Sequence, residues 1–226
     1  MSQPVQADDQ ALSQVRVLIV DDHDLFRNGL RNLLEEQGVD VVGEASSGIE
    51  ALRFVRELAP EVVVMDLNMP GMTGVEATRQ LTSVAPLTRV LVLTISDQDA
   101  DVMDAILAGA CGYMLKDSSI TELMAGIRAA SIGESIISPH IAGKVLQRVR
   151  ASSSHSDIEA TIRSELSDRE IQVLKLIANG KDNAMIAGEL HISPKTVKNH
   201  ISNILMKLQI DNRIQAAVYA VRSGIV

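Results

Sequence analysis

From residue 15 to residue 132 the chain alternates short apolar runs rich in β-branched residues with longer segments whose apolar residues recur at helical spacing. Five repeats of that alternation restrict the fold to βα units wound through a parallel sheet, because each strand must return past a helix before the next lies beside it. Strands are expected at residues 15–20, 40–43, 61–65, 89–94 and 112–115, and helices at 24–37, 48–58, 73–84, 98–109 and 119–132. Right-handed crossovers bury such a sheet between two helical layers. The expectation is a doubly wound, five-stranded α/β domain with its ligands at the carboxyl ends of the strands. Asp21, Asp22, Asp66, Thr94 and Lys116 all fall at those ends.

The pattern changes after a serine-rich stretch, Ala-Ser-Ser-Ser-His-Ser-Asp at 151–157, which has the composition of a flexible linker. Beyond it the spacing is purely helical. Ser167-Asp-Arg-Glu170 reads as a capping box, Asn179-Gly180 as a helix stop and Ser193-Pro194 as a helix start, so four short helices form a small all-α bundle. The expected organisation is a polar extension at 1–14, an α/β domain at 15–133, a partly helical linker at 134–162 and the bundle at 163–226. The net charge of −8 divides accordingly: residues 1–138 carry 9 basic and 21 acidic side chains, residues 139–226 carry 12 and 8. An acidic half suits a cation and a basic half suits nucleic acid.

Composition closes several routes. Cys111 is the sole cysteine, so no internal disulfide forms, and its small neighbours Ala110 and Gly112 mark it as a buried residue. No apolar stretch approaches the roughly 20 residues that span a bilayer, and residues 1–10 lack a cationic and apolar leader. A cytoplasmic protein with no membrane partner is expected. Neither a P-loop nor a dinucleotide fingerprint follows the first strand.

What the strand ends carry is chemistry. Asp66 ends the run Glu-Val-Val-Val-Met-Asp and precedes Leu-Asn-Met-Pro-Gly71; Asp21-Asp22 follow Val-Leu-Ile-Val20; Lys116 follows Gly-Tyr-Met-Leu115. Mg²⁺ prefers oxygen ligands and retains several waters, so Asp21, Asp22, Asp66 and the carbonyl of Asn68 make a partial cage for it. Such a cation would lessen repulsion between an incoming phosphoryl group and Asp66, leaving Asp66 to act as nucleophile while Lys116 offsets remaining charge. Thr94 and Tyr113 complete the picture as a hydroxyl able to reach a phosphoryl oxygen and an aromatic able to follow it. Singly, each has an ordinary explanation: a turn for Asp21-Asp22, a cap for Thr94, a half-buried aromatic for Tyr113. Their joint placement at equivalent strand ends does not.

In the bundle, residues 183–190 and 194–208 have the form helix, tight turn, helix. A helical wheel sends Val197, Ile201, Ile204, Leu205 and Leu208 to one side and Lys195, Lys198, Asn199, Ser202 and Met206 to the other. Lysine reaches phosphates or guanine edges and asparagine bonds adenine, which equips this helix for a major groove.

These residues carry a resemblance. Val-Asp-Asp, Met-Asp-Leu-Asn-Met-Pro-Gly, Thr94 and Gly-Tyr-Met-Leu-Lys resemble a two-component receiver domain of flavodoxin-like fold. Leu-Ser-Asp-Arg-Glu, Ile-Ala-Gly-Glu-Leu-His-Ile-Ser-Pro-Lys-Thr-Val-Lys-Asn-His and Gln-Ala-Ala-Val resemble the LuxR-type helix-turn-helix of NarL/FixJ response regulators. The resemblance implies a transcriptional regulator that is not an enzyme, with Asp66 as phosphoacceptor from a sensor histidine kinase. It implies Asp21 and Asp22 as the acidic pair, and Thr94, Tyr113 and Lys116 as response elements. Lys195, Lys198 and Asn199 would lead the contacts to promoter DNA, with Thr196, Ser202 and Asn203 secondary. The Ala-Ala-Val face near residues 213–222 would serve a homodimer, or else internal packing. One departure is Asp182-Asn-Ala-Met185, where the family more often has Lys-Glu before Ile-Ala. Two rivals stand beside this reading: a phosphorylation-independent DNA-binding or adaptor protein, and an aspartyl-nucleophile phosphatase of the haloacid dehalogenase type. The phosphatase uses a second Asp two positions after the nucleophile, where this chain has Asn68.

Overall fold

A computed structural model describes residues 15–96, 98–137, 165–223 and 225. The polar extension, the serine-rich segment and most of the expected linker lie outside them. The chain divides into two compact units, Met1–Ser138 and Pro139–Val226.

In the first unit, β1 (Arg16–Val20), α1 (Asp24–Glu36), β2 (Asp40–Ala45), α2 (Gly48–Leu58), β3 (Val62–Met65), α3 (Gly74–Val84), β4 (Arg89–Thr94), α4 (Asp99–Leu107), β5 (Gly112–Leu115), α5 (Ile120–Ser131) and β6 (Ile136–Ile137) follow one another. Every pairing is parallel, in the order β2-β1-β3-β4-β5-β6. Five strands were expected and six are described. The sixth has only two residues, paired to Gly112 and Tyr113, and falls where a linker was expected. Strand β2 runs two residues further than expected, past Gly43, and the register shifts opposite Val17 and Leu18. A glycine in a strand commonly accompanies such an irregularity.

Alternation along the strands feeds two cores. Val17, Ile19, Val62, Val64, Leu91 and Leu93 face Leu30 and Leu34 of α1 and Leu123, Met124 and Ile127 of α5. Leu18, Val20, Val63, Met65 and Val90 face Ala51 and Val55 of α2 and Ala77 and Leu81 of α3. A period of two along a parallel strand sends successive side chains to opposite layers, which is why near-continuous apolar runs read as strands buried on both faces. The strand order reverses between β1 and β3, and the carboxyl ends there form the crevice in which ligands bind in such sheets.

The second unit holds α6 (Asp168–Ala178), α7 (Asn183–Leu190), α8 (Pro194–Leu208) and α9 (Arg213–Arg222). The expected capping box forms, with Ser167 Oγ accepting from Glu170 N and Glu170 Oε2 accepting from Ser167 N. The same Glu170 carboxylate, almost wholly buried, accepts from Lys207 Nζ at 2.7 Å and so ties α6 to the end of α8. Burial pushes its pKa up, but the Lys207 and Ser167 hydrogen bonds outweigh burial and the net shift is downward. Arg169 Nη2 donates to the Leu190 carbonyl at 2.6 Å, closing the C-terminal end of α7.

Candidate functional site

Strands β1 and β3 are adjacent with Val20 opposite Met65, so Asp21 and Asp66 are the next residues past equivalent ends. The ladder holds for one residue more: Asp66 N donates to Val20 O at 2.9 Å, Asp21 N to Ala45 O at 3.0 Å and Lys116 N to Thr94 O at 2.8 Å. Backbone hydrogen bonds therefore fix the roots of three functional side chains. The turn after β3 adds a tight fit, because a Cβ on Gly74 would lie 2.0 Å from the Asp66 carbonyl oxygen. Only glycine lets the start of α3 pack this closely on the Asp66 peptide.

Asp21 and Asp66 are each 2% exposed. Lys116 Nζ sits 2.7 Å from Asp21 Oδ2 and 2.8 Å from Asp66 Oδ2, and 4.5 Å over the Phe26 ring. Burial lowers the pKa of this ammonium, but its hydrogen bonds to Asp21 and Asp66, with the charges of both, prevail and hold it above the usual lysine value. One cation thus spans two carboxylates.

Asp22 faces the same space with 26% of its side chain exposed, yet its Oδ1 is buried and accepts no hydrogen bond. His23 Nδ1 lies 3.0 Å from that oxygen without the alignment of a hydrogen bond. Ligating atoms of Asp21, Asp22, His23 and Asp66 all lie within 4.8 Å of one another. Converging carboxylates with an unsatisfied buried oxygen fit a hard divalent cation such as Mg²⁺. His23 and Phe26 were not foreseen. His23 directly follows the acidic pair, a signal available in the sequence, whereas nothing there marks Phe26 as the ring beneath Lys116.

The expected response residues are all close by. Asn68 Nδ2 donates to Thr94 Oγ1 at 3.5 Å, and Asn68 N approaches Asp66 Oδ1 at 3.4 Å. Thr94 Oγ1 also accepts from Ser96 N at 3.4 Å, and Tyr113 OH donates to the Ser96 carbonyl at 2.9 Å. Tyr113 is wholly buried rather than half-buried. Cys111 is buried as expected, and burial pushes its thiol up to about 12, which leaves it without thiolate character near neutrality.

In the second unit α7 and α8 take the expected bounds. Val197 and Ile204 are buried, Ile201, Leu205 and Leu208 half-buried, and Lys195, Lys198, Asn199, Ser202, Asn203 and Met206 exposed. Thr196 is half-buried with its hydroxyl 2.8 Å from Ser193 Oγ at the helix cap, so it is engaged within the helix start. At the departure from the family pattern, Asp182 caps α7 by accepting from Met185 N at 2.8 Å, while Ala184 and Met185 lie exposed. On α9, Ala216 and Val218 are buried and α9 packs against α6, so internal packing takes most of the Ala-Ala-Val face and leaves Ala217 half-exposed.

Residues 17–128 match the response regulator receiver domain, and residues 164–220 match the bacterial regulatory proteins of the luxR family. The transcriptional regulatory protein LiaR of Bacillus subtilis (strain 168) is 47% identical over 213 residues, spanning 94% of this chain and 99% of that protein. The response regulator protein VraR of Staphylococcus aureus (strain NCTC 8325 / PS 47) is 39% identical over the same shares. Among solved structures, the response regulator ChrA of a heme-sensing two-component system aligns with a TM-score of 0.52 at 36% identity, covering 95% of this chain and all of that one. A complex of the two-component response regulator RcsB with DNA aligns with a TM-score of 0.54 at 26% identity, covering 92% and 98%. With both units matched and a relative nearly half identical across almost the whole of both sequences, the chain belongs to the NarL/FixJ response regulators, which couple a phosphorylation-controlled receiver to a LuxR-type helix-turn-helix that regulates transcription.

Proposed function

We propose that Asp66 takes a phosphoryl group from a sensor histidine kinase and that the resulting acyl phosphate governs promoter binding by α8. The observation that carries this reading is Lys116 bonded to both Asp21 and Asp66 at the head of the sheet. In the transfer, an Asp66 carboxylate oxygen bonds to phosphorus as the bond to the kinase imidazole nitrogen breaks, and that nitrogen keeps the electron pair. Asp21, Asp22, Asp66 and the Asn68 carbonyl would hold Mg²⁺, which supplies neutralisation of the phosphoryl oxygens. Lys116 stays beside the new anion. Asn68 offers no titratable group to protonate a leaving group, which supports a lasting phosphoprotein over phosphatase turnover.

The Thr94 hydroxyl is held by two long hydrogen bonds, at 3.4 and 3.5 Å, so turning it toward a phosphoryl oxygen costs little. Ser96 follows through its N–H, and Tyr113 is bonded to the Ser96 carbonyl, giving a path from Asp66 to the start of α4. Lys195, Lys198 and Asn199, with Thr196, Ser202 and Asn203, are assigned to the major groove of promoter DNA. A homodimer acting in the cytoplasm reads two related half-sites. The test is intact mass after incubation with Mg²⁺ and a small phosphodonor. One added phosphoryl group in wild type and none in Asp66→Asn is expected; an adduct that persists in Asp66→Asn overturns the assignment.

A further inference from the structure

Arg27 lies on the first turn of α1 with 13% of its side chain exposed, and its bonds converge on the acidic turn. Its Nη1 donates to the backbone carbonyl of Asp21 at 2.6 Å, its Nη2 to Asp24 Oδ1, and its Nε lies 3.3 Å from Glu44 Oε2. Glu44 is itself fixed by Arg31 Nη1 at 2.6 Å. The next residue of β2, Ala45, accepts from Asp21 N at 3.0 Å. The Asp21 residue is therefore clamped from both sides, by a strand carbonyl on its N–H and by a guanidinium on its C=O. Asp21 is 2% exposed, so without Arg27 its carbonyl would be left buried and short of a donor.

That clamp sits at the peptide joining the two acids. Rotation of the 21–22 peptide would swing the Asp22 carboxylate, whose buried Oδ1 accepts no hydrogen bond and has His23 Nδ1 beside it at 3.0 Å. A hydrogen bond that orients a ligand residue without touching the metal typically controls affinity by about 10–100-fold. We infer that Arg27 is the positioning residue of the acidic pair: it fixes the Asp21–Asp22 turn in the geometry that binds a divalent cation. This rests on the reading of the acidic cluster as a cation site. Glu44 sits on the Nε side of the guanidinium and shares its other oxygen with Arg31, which touches neither Arg27 nor the acidic turn.

Calorimetric titration of the full chain with Mg²⁺ tests it, using Arg27→Met, Arg27→Lys and, as control, Arg31→Met, which shares Glu44 but makes no bond to the turn. Thermal unfolding of each variant first establishes that it is folded. The expected result is a Kd raised about tenfold or more in Arg27→Met, against less than about twofold in Arg31→Met. Arg27→Lys keeps the charge but lacks the fork that spans Asp21 and Glu44, and stays several-fold weak. The Mg²⁺ concentration that gives half-maximal phosphorylation by a small phosphodonor rises in step with the Kd in Arg27→Met and stays within about twofold of wild type in Arg31→Met. Wild-type affinity in Arg27→Met, or full recovery in Arg27→Lys, overturns the inference. Binding that survives unchanged in Asp22→Asn refutes instead the cation-site reading beneath it.

Discussion

Replacing Lys116 by Met removes the cation bonded to both Asp21 and Asp66 while keeping a stem of similar length over Phe26. At an effective dielectric near 20, a pair of unit charges about 4 Å apart is worth about 4 kcal/mol, and Lys116 makes two such pairs. The cost of taking three charges out of water offsets most of that, so the relevant magnitude is the loss when one partner of a buried pair is removed, about 3–5 kcal/mol. The neighbouring Asp22 keeps 26% of its side chain in solvent, and screening places the expected loss at the lower end, about 3 kcal/mol. Urea unfolding in EDTA at pH 7 measures it, with the receiver transition identified as the one that shifts when Mg²⁺ is added. Mg²⁺ should stabilise the variant more than wild type, because a bound cation replaces the missing charge. The raised pKa of Lys116 sets the alkaline limb. Its contribution is present in full below the ordinary lysine value of about 10.4 and is lost as pH rises through the raised value, so the gap between the proteins stays level from about pH 7 to 10 and then closes. A destabilisation under about 0.5 kcal/mol would refute the reasoning, since it would mean the two carboxylates do not depend on Lys116.

Further outcomes follow from other contacts. Gly74→Ala forces a Cβ to within 2.0 Å of the Asp66 carbonyl, so receiver stability should fall by about 1–3 kcal/mol or more and phosphorylation by a small donor should slow; both are read in the same urea and mass assays. Glu170→Gln loses the ion pair to Lys207 and should lower the unfolding free energy of the helical unit by about 1–3 kcal/mol at pH 7. Because the Glu170 pKa is depressed, that gap is present above the ordinary glutamate value and closes as pH falls through the folded one. Lys198→Ala should either flatten the salt dependence of DNA binding by about one unit of slope, if it contacts phosphate, or cost about 1–3 kcal/mol at one base pair, if it contacts a base. Cys111 should resist thiol reagents in the native state and react only on unfolding, which a time course with and without urea will show.

Much of this was legible because strand ends leave a strong imprint. Apolar β-branched runs that stop at Asp21, Asp66 and Lys116 locate both the sheet and its chemistry, and β4, β5, α2, α7 and α8 take the expected bounds. The start of α6 was equally plain, because Ser167 precedes Glu170 by three; the structure shows the same box at Thr73 and Ser119, where the sequence was read only for helical spacing. The misses share a physical cause. Strand β6 is two residues long, too short to show alternation, and exists through its pairing with β5. Arg27, Phe26 and Glu44 reach the site only through tertiary contact, and their local sequence reads as an ordinary amphipathic helix start and strand. The depth of Tyr113 depends on what covers it, which periodicity alone does not report. The Ala-Ala-Val face of α9 shows the same limit, since small apolar residues suit a partner surface and an internal helix contact equally well.

The most direct test of the central claim is the affinity of wild type and Asp66→Asn for one operator duplex, enriched from a random pool by the phosphorylated wild type. It is measured with and without phosphodonor at fixed salt and Mg²⁺. The account predicts a gain for wild type within the range of about 5–150-fold that couples two sites, and no gain for Asp66→Asn. Equal affinity of wild type in both states, or the same gain in Asp66→Asn, would contradict it.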